Sequence, residues 1–346
     1  MRLLYCRYGA HLSKEQVAEL VAPHPDTLEL VSSWLEHYGV PSSSISTSHG
    51  GNWLTLTGMP VSKANDLLGA SYQHFLHAET NETILRTVSY ALPAVLHAHV
   101  QTIVPTTFFG SPQTPLVRRS GVTAAQAKAG SGEPVRVPSG RDNYVTPVTP
   151  SYLRWMYNTV AYVPSAVYQN VFGIVGFKGR YASQDDLTRF VKQYRPDGAD
   201  ATFTVVQVDG GVYDPKNPRI EGNLNVQYAA AMTYPTMQIY YSTSANVDPF
   251  VSWFAYMLGQ TKIPQTISTT YGVAEQIVPQ DYASGVCYLY AQLGARGASV
   301  LHASGNSGVG NGDCKVKDSS GNVHVEFRPT FPASCAYDVF FVSACK

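Results

Sequence analysis

Phe203-Thr204-Val205-Val206-Gln207-Val208, Glu221-Gly222-Asn223-Leu224-Asn225-Val226-Gln227-Tyr228-Ala229-Ala230-Ala231-Met232-Thr233 and Gln238-Ile239-Tyr240-Tyr241-Ser242 follow one another in the chain. The first and third runs are short and rich in β-branched and aromatic residues, which suits buried strands. In the middle run Leu224, Tyr228 and Ala231 recur at i, i+4 and i+7, and the Tyr234-Pro235 step closes it. That spacing predicts a helix within 219–235. A strand, a helix and a strand in this order make one βαβ unit, which is the seed of a parallel sheet.

The same alternation extends outward on both sides. Further strands are predicted at 170–177, 265–270 and 299–303, and further helices at 183–194, 249–258 and 279–293. From Thr149 onward this reads as a doubly wound, mostly parallel α/β sheet. Such sheets bind ligands at the carboxyl ends of their strands. The run Ser304-Gly305-Asn306-Ser307-Gly308 follows the last predicted strand. No further strand is predicted after 299–303, so that strand is expected to be an exposed edge.

The first 110 residues read differently. Ser13 caps a short helix at 14–21, and a longer one runs from Asp26 to Gly39 with Leu28, Val31 and Leu35 on one face. Hairpins are predicted at 45–57 and 72–90, with helices at 61–68 and 92–100. This mixture is an α+β pattern. Between the two regions, at 111–148, periodicity vanishes and five Lys/Arg face two Asp/Glu. That stretch reads as an exposed linker, open to proteases near Arg118-Arg119.

Composition narrows the function. Hydrophobic residues make up 44% and charged residues 14%, with zero net charge, which argues against a nucleic-acid or anionic-membrane partner. No apolar run reaches the length of a membrane span, and the N-terminus lacks the apolar core of a signal peptide. The five cysteines, Cys6, Cys287, Cys314, Cys335 and Cys345, fit no zinc spacing. Cys314 and Cys335 flank a polar loop and could pair, while Cys287 reads as a small apolar filler in a helix. Asn81-Glu82-Thr83 is a glycosylation sequon. Gly173, Gly176 and Gly179 are off the dinucleotide spacing and read as structural, and His97 and His99 are poor co-ligands.

Several segments together resemble one family. They are Tyr8-Gly9-Ala10-His11-Leu12-Ser13-Lys14-Glu15, Ala22-Pro23-His24-Pro25, Thr149-Pro150-Ser151-Tyr152-Leu153-Arg154, Gln265-Thr266-Ile267-Ser268, 221–228, 304–308 and Phe331-Pro332-Ala333-Ser334-Cys335. In this order they are similar to the sedolisins, the serine-carboxyl peptidases that include fungal tripeptidyl-peptidases and kumamolisin. The resemblance implies an α+β, ferredoxin-like pro-domain over 1–110, a linker with a processing site over 111–148 and a partial, subtilisin-like peptidase domain over 149–346. It also implies acid-acting proteolysis of peptides or proteins, a pro-domain docked on its own catalytic domain, and a secreted or vacuolar location.

Carried over residue by residue, the resemblance places the general base at Glu221, on a helix. A carboxylate can take a serine proton at a pH where histidine is already charged. The family's paired Asp falls at Asn225, and its oxyanion-hole Asp falls at Asn306. An amide can donate to an oxyanion, so Asn306 is tolerable. Asn225 is not equivalent, because an amide shares no titratable proton with a carboxylate. The family's Gly-Thr-Ser-x-Ser nucleophile motif does not occur in the sequence, and its calcium site lies beyond that serine. Ser307 sits too close to Asn306 to replace the nucleophile. The expectation is a chain inactive as it stands and without a cofactor. The alternatives are a pseudo-peptidase that binds another peptidase or a peptide, and a non-functional truncated product.

Overall fold

The computed structural model describes all residues except 1–8, 77–82, 111–147, 166–168, 178, 245–247, 306–313, 319, 338 and 342–346. Asn81, Asn306, Ser307, Arg118 and Arg119 therefore lie outside the described residues.

The N-terminal region begins with α1 (Lys14–Val21) and α2 (Pro25–His37), followed by β1 (Ile45–Thr47), β2 (Leu54–Leu56), α3 (Val61–Leu68), β3 (Gln73–Leu76) and β4 (Thr83–Arg86). Ser13 caps α1 as predicted, in a reciprocal capping box with Gln16. His24, not Asp26, caps α2, with Nδ1 accepting from the Asp26 N–H at 3.3 Å. β1 pairs antiparallel with β2, and β3 with β4, as two separate sheets. Val31, Leu35, Leu67, Leu68 and Leu96 form the core between these elements. Leu28, expected on that face, is 40% exposed.

The helix predicted over 92–100 is a single 3-10 turn, Ala94–Leu96. Only Leu96 in that turn is buried, and the His97 Nε2–H donates to the Leu92 carbonyl at 3.0 Å, which takes that acceptor from a continuing helix. His99 is hydrogen-bonded to Thr27 instead. The two histidines thus serve separate contacts.

The second region contains α4 (Pro150–Met156), β5 (Val171–Gly176), α5 (Gln184–Tyr194), β6 (Phe203–Val208), α6 (Ile220–Thr233), β7 (Met237–Thr243), α7 (Pro249–Gly259) and β8 (Thr266–Thr269). It continues with β9 (Val273–Ala274), α8 (Gln280–Ala295), β10 (Ser299–Ala303), β11 (Lys315–Lys317), β12 (Val323–Val325), β13 (Thr330–Phe331) and β14 (Val339–Phe341). Six strands form one parallel sheet in the order β14-β10-β8-β5-β7-β6. The chain starts at the centre with β5, winds out to β6, returns through β7 and then fills the other side. This is the doubly wound α/β arrangement expected from the sequence, and it fits the subtilisin-like fold. The expectation of an exposed edge at β10 is corrected, because β14 pairs parallel with it through Leu301↔Val339. The segment after Cys335 does not follow the family's pattern, and its apolar run at 339–341 was not read as a strand.

Helices cover both faces. α5 and α6 enclose Ile174, Leu187, Val191, Val226, Ala230 and Tyr240. α7 and α8 enclose a larger core that includes Trp253, Phe254, Ile267, Tyr282, Leu289 and Tyr290. The face of α6 turned inward is Gly222, Val226, Ala230 and Ala231, not Leu224 and Tyr228. Small residues let the helix approach the sheet closely, and the larger ones find other surroundings. Tyr228 packs on Phe190 and donates to the Val148 carbonyl at 2.5 Å.

The cysteine pairing also differs from expectation. Cys287 on α8 is bonded to Cys335, with a Cα–Cα distance of 5.4 Å, so Cys335 does not pair with Cys314. Cys335 is buried in the α7/α8 core where Cys287 points, whereas Cys314 is only half-buried.

The N-terminal region lies on α7 and α8. Lys14 Nζ donates to the Gly259 carbonyl at the end of α7 (2.7 Å), and the Leu12 N–H donates to Ala295 at the end of α8 (2.9 Å). Cations and donors at helix carboxyl ends are favourable. At the other end the Tyr90 hydroxyl donates to Asp281 (3.4 Å), and Phe108 stacks on Tyr282. Among the described residues no helix is long and apolar enough to cross a membrane.

Candidate active site

Glu221 stands in the first turn of α6, at the carboxyl edge of the sheet. The positive end of the helix favours a carboxylate there. The loop 179–183, which leaves β5, is pressed against this helix end. Arg219 N–H donates to the Tyr181 carbonyl at 2.9 Å, and the Ser183 N–H donates to Asn223 Oδ1 at 2.8 Å. A Cβ at Gly222 would collide with the Tyr181 carbonyl, so only glycine allows the loop to lie there. Gly179, at φ +70°, turns the chain so that Arg180 reaches over α6.

Four side chains meet at this point. Arg180 Nη1 forms an ion pair with Glu221 Oε2. Thr270 Oγ1 donates to Glu221 Oε1 at 2.8 Å, and Asn225 Nδ2 donates to the same Thr270 oxygen at 2.9 Å. The expected pairing of Glu221 and Asn225 thus runs through a hydroxyl that the sequence reading did not include. Asn225 donates to that hydroxyl, and the Thr270 hydroxyl in turn donates its hydrogen bond to the carboxylate. Arg180 and Glu221 keep 21% and 14% of their side-chain surface exposed, so the cluster is open on one side.

Arg180 and Thr270 were missed because they belong to no motif. The available signal was positional: each lies just past the carboxyl end of a strand, β5 or β8, where such sheets gather their sites. After β10, the Ser304 carbonyl accepts from Thr330 Oγ1 at 3.0 Å and Gly305 has φ +99°.

Two other buried polar groups lie on the opposite face of the sheet. His302 on β10 touches Thr269 Oγ1, at 2.5 Å from Nδ1, and the Tyr290 hydroxyl. Burial pulls this histidine down to about 3, so it stays neutral at physiological pH. Asp248 caps α7 through the Val251 N–H at 2.9 Å and accepts from the Tyr282 hydroxyl at 2.9 and 3.0 Å. Burial pushes its carboxyl up, against the opposing effects of these donors and Arg86. Among the described residues no group of three or more His, Cys, Asp or Glu could hold a metal ion.

The doubly wound parallel sheet, with a carboxylate-bearing helix at its carboxyl edge, places the C-terminal region in the class of subtilisin-like α/β proteins. Residues 6–109 match the family model "Pro-kumamolisin, activation domain". The chain is 32% identical over 351 residues to a probable tripeptidyl-peptidase SED3 of Arthroderma benhamiae, covering 95% of this chain and 56% of that protein. It is 31% identical over 350 residues to tripeptidyl-peptidase SED4 of Arthroderma otae, covering 95% and 55%. The chain therefore spans just over half the length of these relatives. A solved structure of Pseudomonas sedolisin, a serine-carboxyl proteinase complexed with two molecules of pseudo-iodotyrostatin, is similar at a TM-score of 0.41 and 17% identity, covering 56% of this chain and 52% of that one. The chain is thus similar to fungal tripeptidyl-peptidases along 95% of its length, and its first region matches a pro-kumamolisin activation domain.

Proposed function

We propose that the chain is a sedolisin-type peptidase module that performs no hydrolysis as it stands. In this reading 1–110 is the activation domain, 111–148 the linker with its processing site and 149–346 part of the peptidase domain. Glu221 holds the general-base position, Asn225 the position of its paired Asp and Asn306 the oxyanion position. The observation that carries the reading is the Asn225 amide, which donates to Thr270 and offers Glu221 no shared proton. In the relatives' chemistry a peptide or protein would be the substrate. The proposed location is outside the cell or in a vacuole, and the Cys287–Cys335 bridge suits an oxidising compartment.

The test is hydrolysis of tripeptide-releasing substrates by the purified chain at acidic pH. No turnover above a blank is expected. Turnover that Glu221→Ala abolishes would overturn the reading.

A second reading, a pseudo-peptidase that binds or inhibits another peptidase, is favoured by the way the N-terminal region grips the ends of α7 and α8 through Leu12, Lys14 and Tyr90. On that reading the chain should slow an active acid tripeptidyl-peptidase in a mixing assay. Unchanged rates at saturating chain would remove it.

A further inference from the structure

We infer that Arg180 is a positioning residue that silences Glu221 as a proton acceptor, independently of whether any serine faces it. The inference rests on the assignment of Glu221 to the base position, but its test does not depend on catalysis.

A general base needs an accessible oxygen and a gain in free energy on taking the proton. Here both carboxylate oxygens already have donors: Arg180 Nη1 on Oε2 and Thr270 Oγ1 on Oε1. An adjacent guanidinium stabilises the charged carboxylate and so opposes its protonation. Arginine stays charged throughout the acidic range in which such a base would work. A Glu beside an Asp can hold a proton between two acids. Of the three side chains that meet Glu221 here, Arg180, Thr270 and Asn225, none is such a second acid.

The surrounding structure keeps the arginine in place. The Arg180 carbonyl accepts from the Tyr240 hydroxyl on β7. The neighbouring Tyr181 carbonyl accepts from the N–H of Arg219 and lies where any Cβ on Gly222 would go. The backbone on both sides is thus tied to the sheet and to α6, which limits how far the guanidinium can swing away. The same four side chains pin the loop after β5, the start of α6 and the end of β8 to one another. What is an acid–base pair in a Glu–Asp site is here a neutral clasp.

Carboxyl labelling of the full chain with a water-soluble carbodiimide and an amine, mapped by mass spectrometry, tests this, because the reagent is activated by the protonated acid. The exposed carboxyls Glu19 and Glu29 provide the reference. At mildly acidic pH, Glu221 of the unaltered chain should label far less than these. Arg180→Gln should raise its labelling by about tenfold, because the charge that opposes protonation is gone. Arg180→Lys, which keeps the charge, should restore most of the protection, which burial alone would not do. Equal labelling of Glu221 in the unaltered chain and in Arg180→Gln would overturn the inference. If Arg180→Gln loses the native circular dichroism, labelling of the unaltered chain decides alone, and a Glu221 rate equal to that of Glu19 would overturn it.

Discussion

Glu221 and Asp248 are both carboxylates at the start of a helix on the same sheet, and they differ in almost every other respect. Glu221 is half-open, clasped by Arg180 and Thr270, on the face covered by α5 and α6. Asp248 is buried at the start of α7, held by the Tyr282 hydroxyl, with the N-terminal region's Arg86 and Phe108 close by. At Glu221 the carboxylate is paired with a guanidinium. At Asp248 loss of water dominates, and the carboxyl is pushed up despite the hydrogen bonds it accepts. Residue type and helix position are shared, so the surroundings decide what each group can do.

The two faces also differ in how they are held. The α7/α8 side carries the disulfide, the larger aromatic core and the docked N-terminal region, while the α5/α6 side has a smaller core around Ile174, Leu187, Val191 and Tyr240. Breaking the bridge should therefore have the largest effect on stability. It closes a loop of 48 residues, for which the chain-entropy account gives about 4 kcal/mol. Replacing both Cys287 and Cys335 with serine should cost about that much in urea unfolding, with the loss concentrated on the α7/α8 side. Hydrogen exchange should show α7 and α8 losing protection first. A loss confined to α5 and α6 would mean that the two faces do not differ in this way.

Much of this was readable beforehand, and the failures have identifiable causes. The strands β6 and β10 keep their predicted bounds, 203–208 and 299–303, because glycine-containing turns, Asp209-Gly210-Gly211 after β6 and Gly297 and Ser304-Gly305 around β10, delimit them. Helix α6 was placed correctly, but its inward face was not. Periodicity in large residues pointed to Leu224 and Tyr228, whereas close packing selected Gly222, Val226 and Ala230. The Cys287–Cys335 pairing depends on how α8 docks against the segment after β13, a long-range fact with no local signature. At the site, Glu221 and Asn225 were assigned through the family resemblance, since their i, i+4 spacing alone marks only a shared helix face. Arg180 and Thr270 come from two other loops, and only the sheet order brings them together.

The smaller effect, and the one that probes the comparison most directly, is the pH response of Asp248. Its carboxyl is raised above the ordinary value of 3.8, first by burial, while the Val251 and Phe250 N–H groups, Tyr282 and Arg86 pull the other way. A raised folded value means that the folded chain binds the proton more readily than the unfolded chain does. The resulting stability is fully present below the unfolded value and is lost as pH rises through the folded one. Asp248→Asn keeps an acceptor for Val251 and Tyr282 but carries no charge at any pH. The stability of the unaltered chain relative to this variant should therefore improve as pH falls from neutrality toward 3.8. Parallel urea titrations of the two proteins across that window measure the difference, with other carboxylates cancelling between them. If the unaltered chain instead loses ground on acidification, pairing with Arg86 outweighs burial. Asp248 would then be a second charge-clasped carboxylate, and the contrast with Glu221 would disappear.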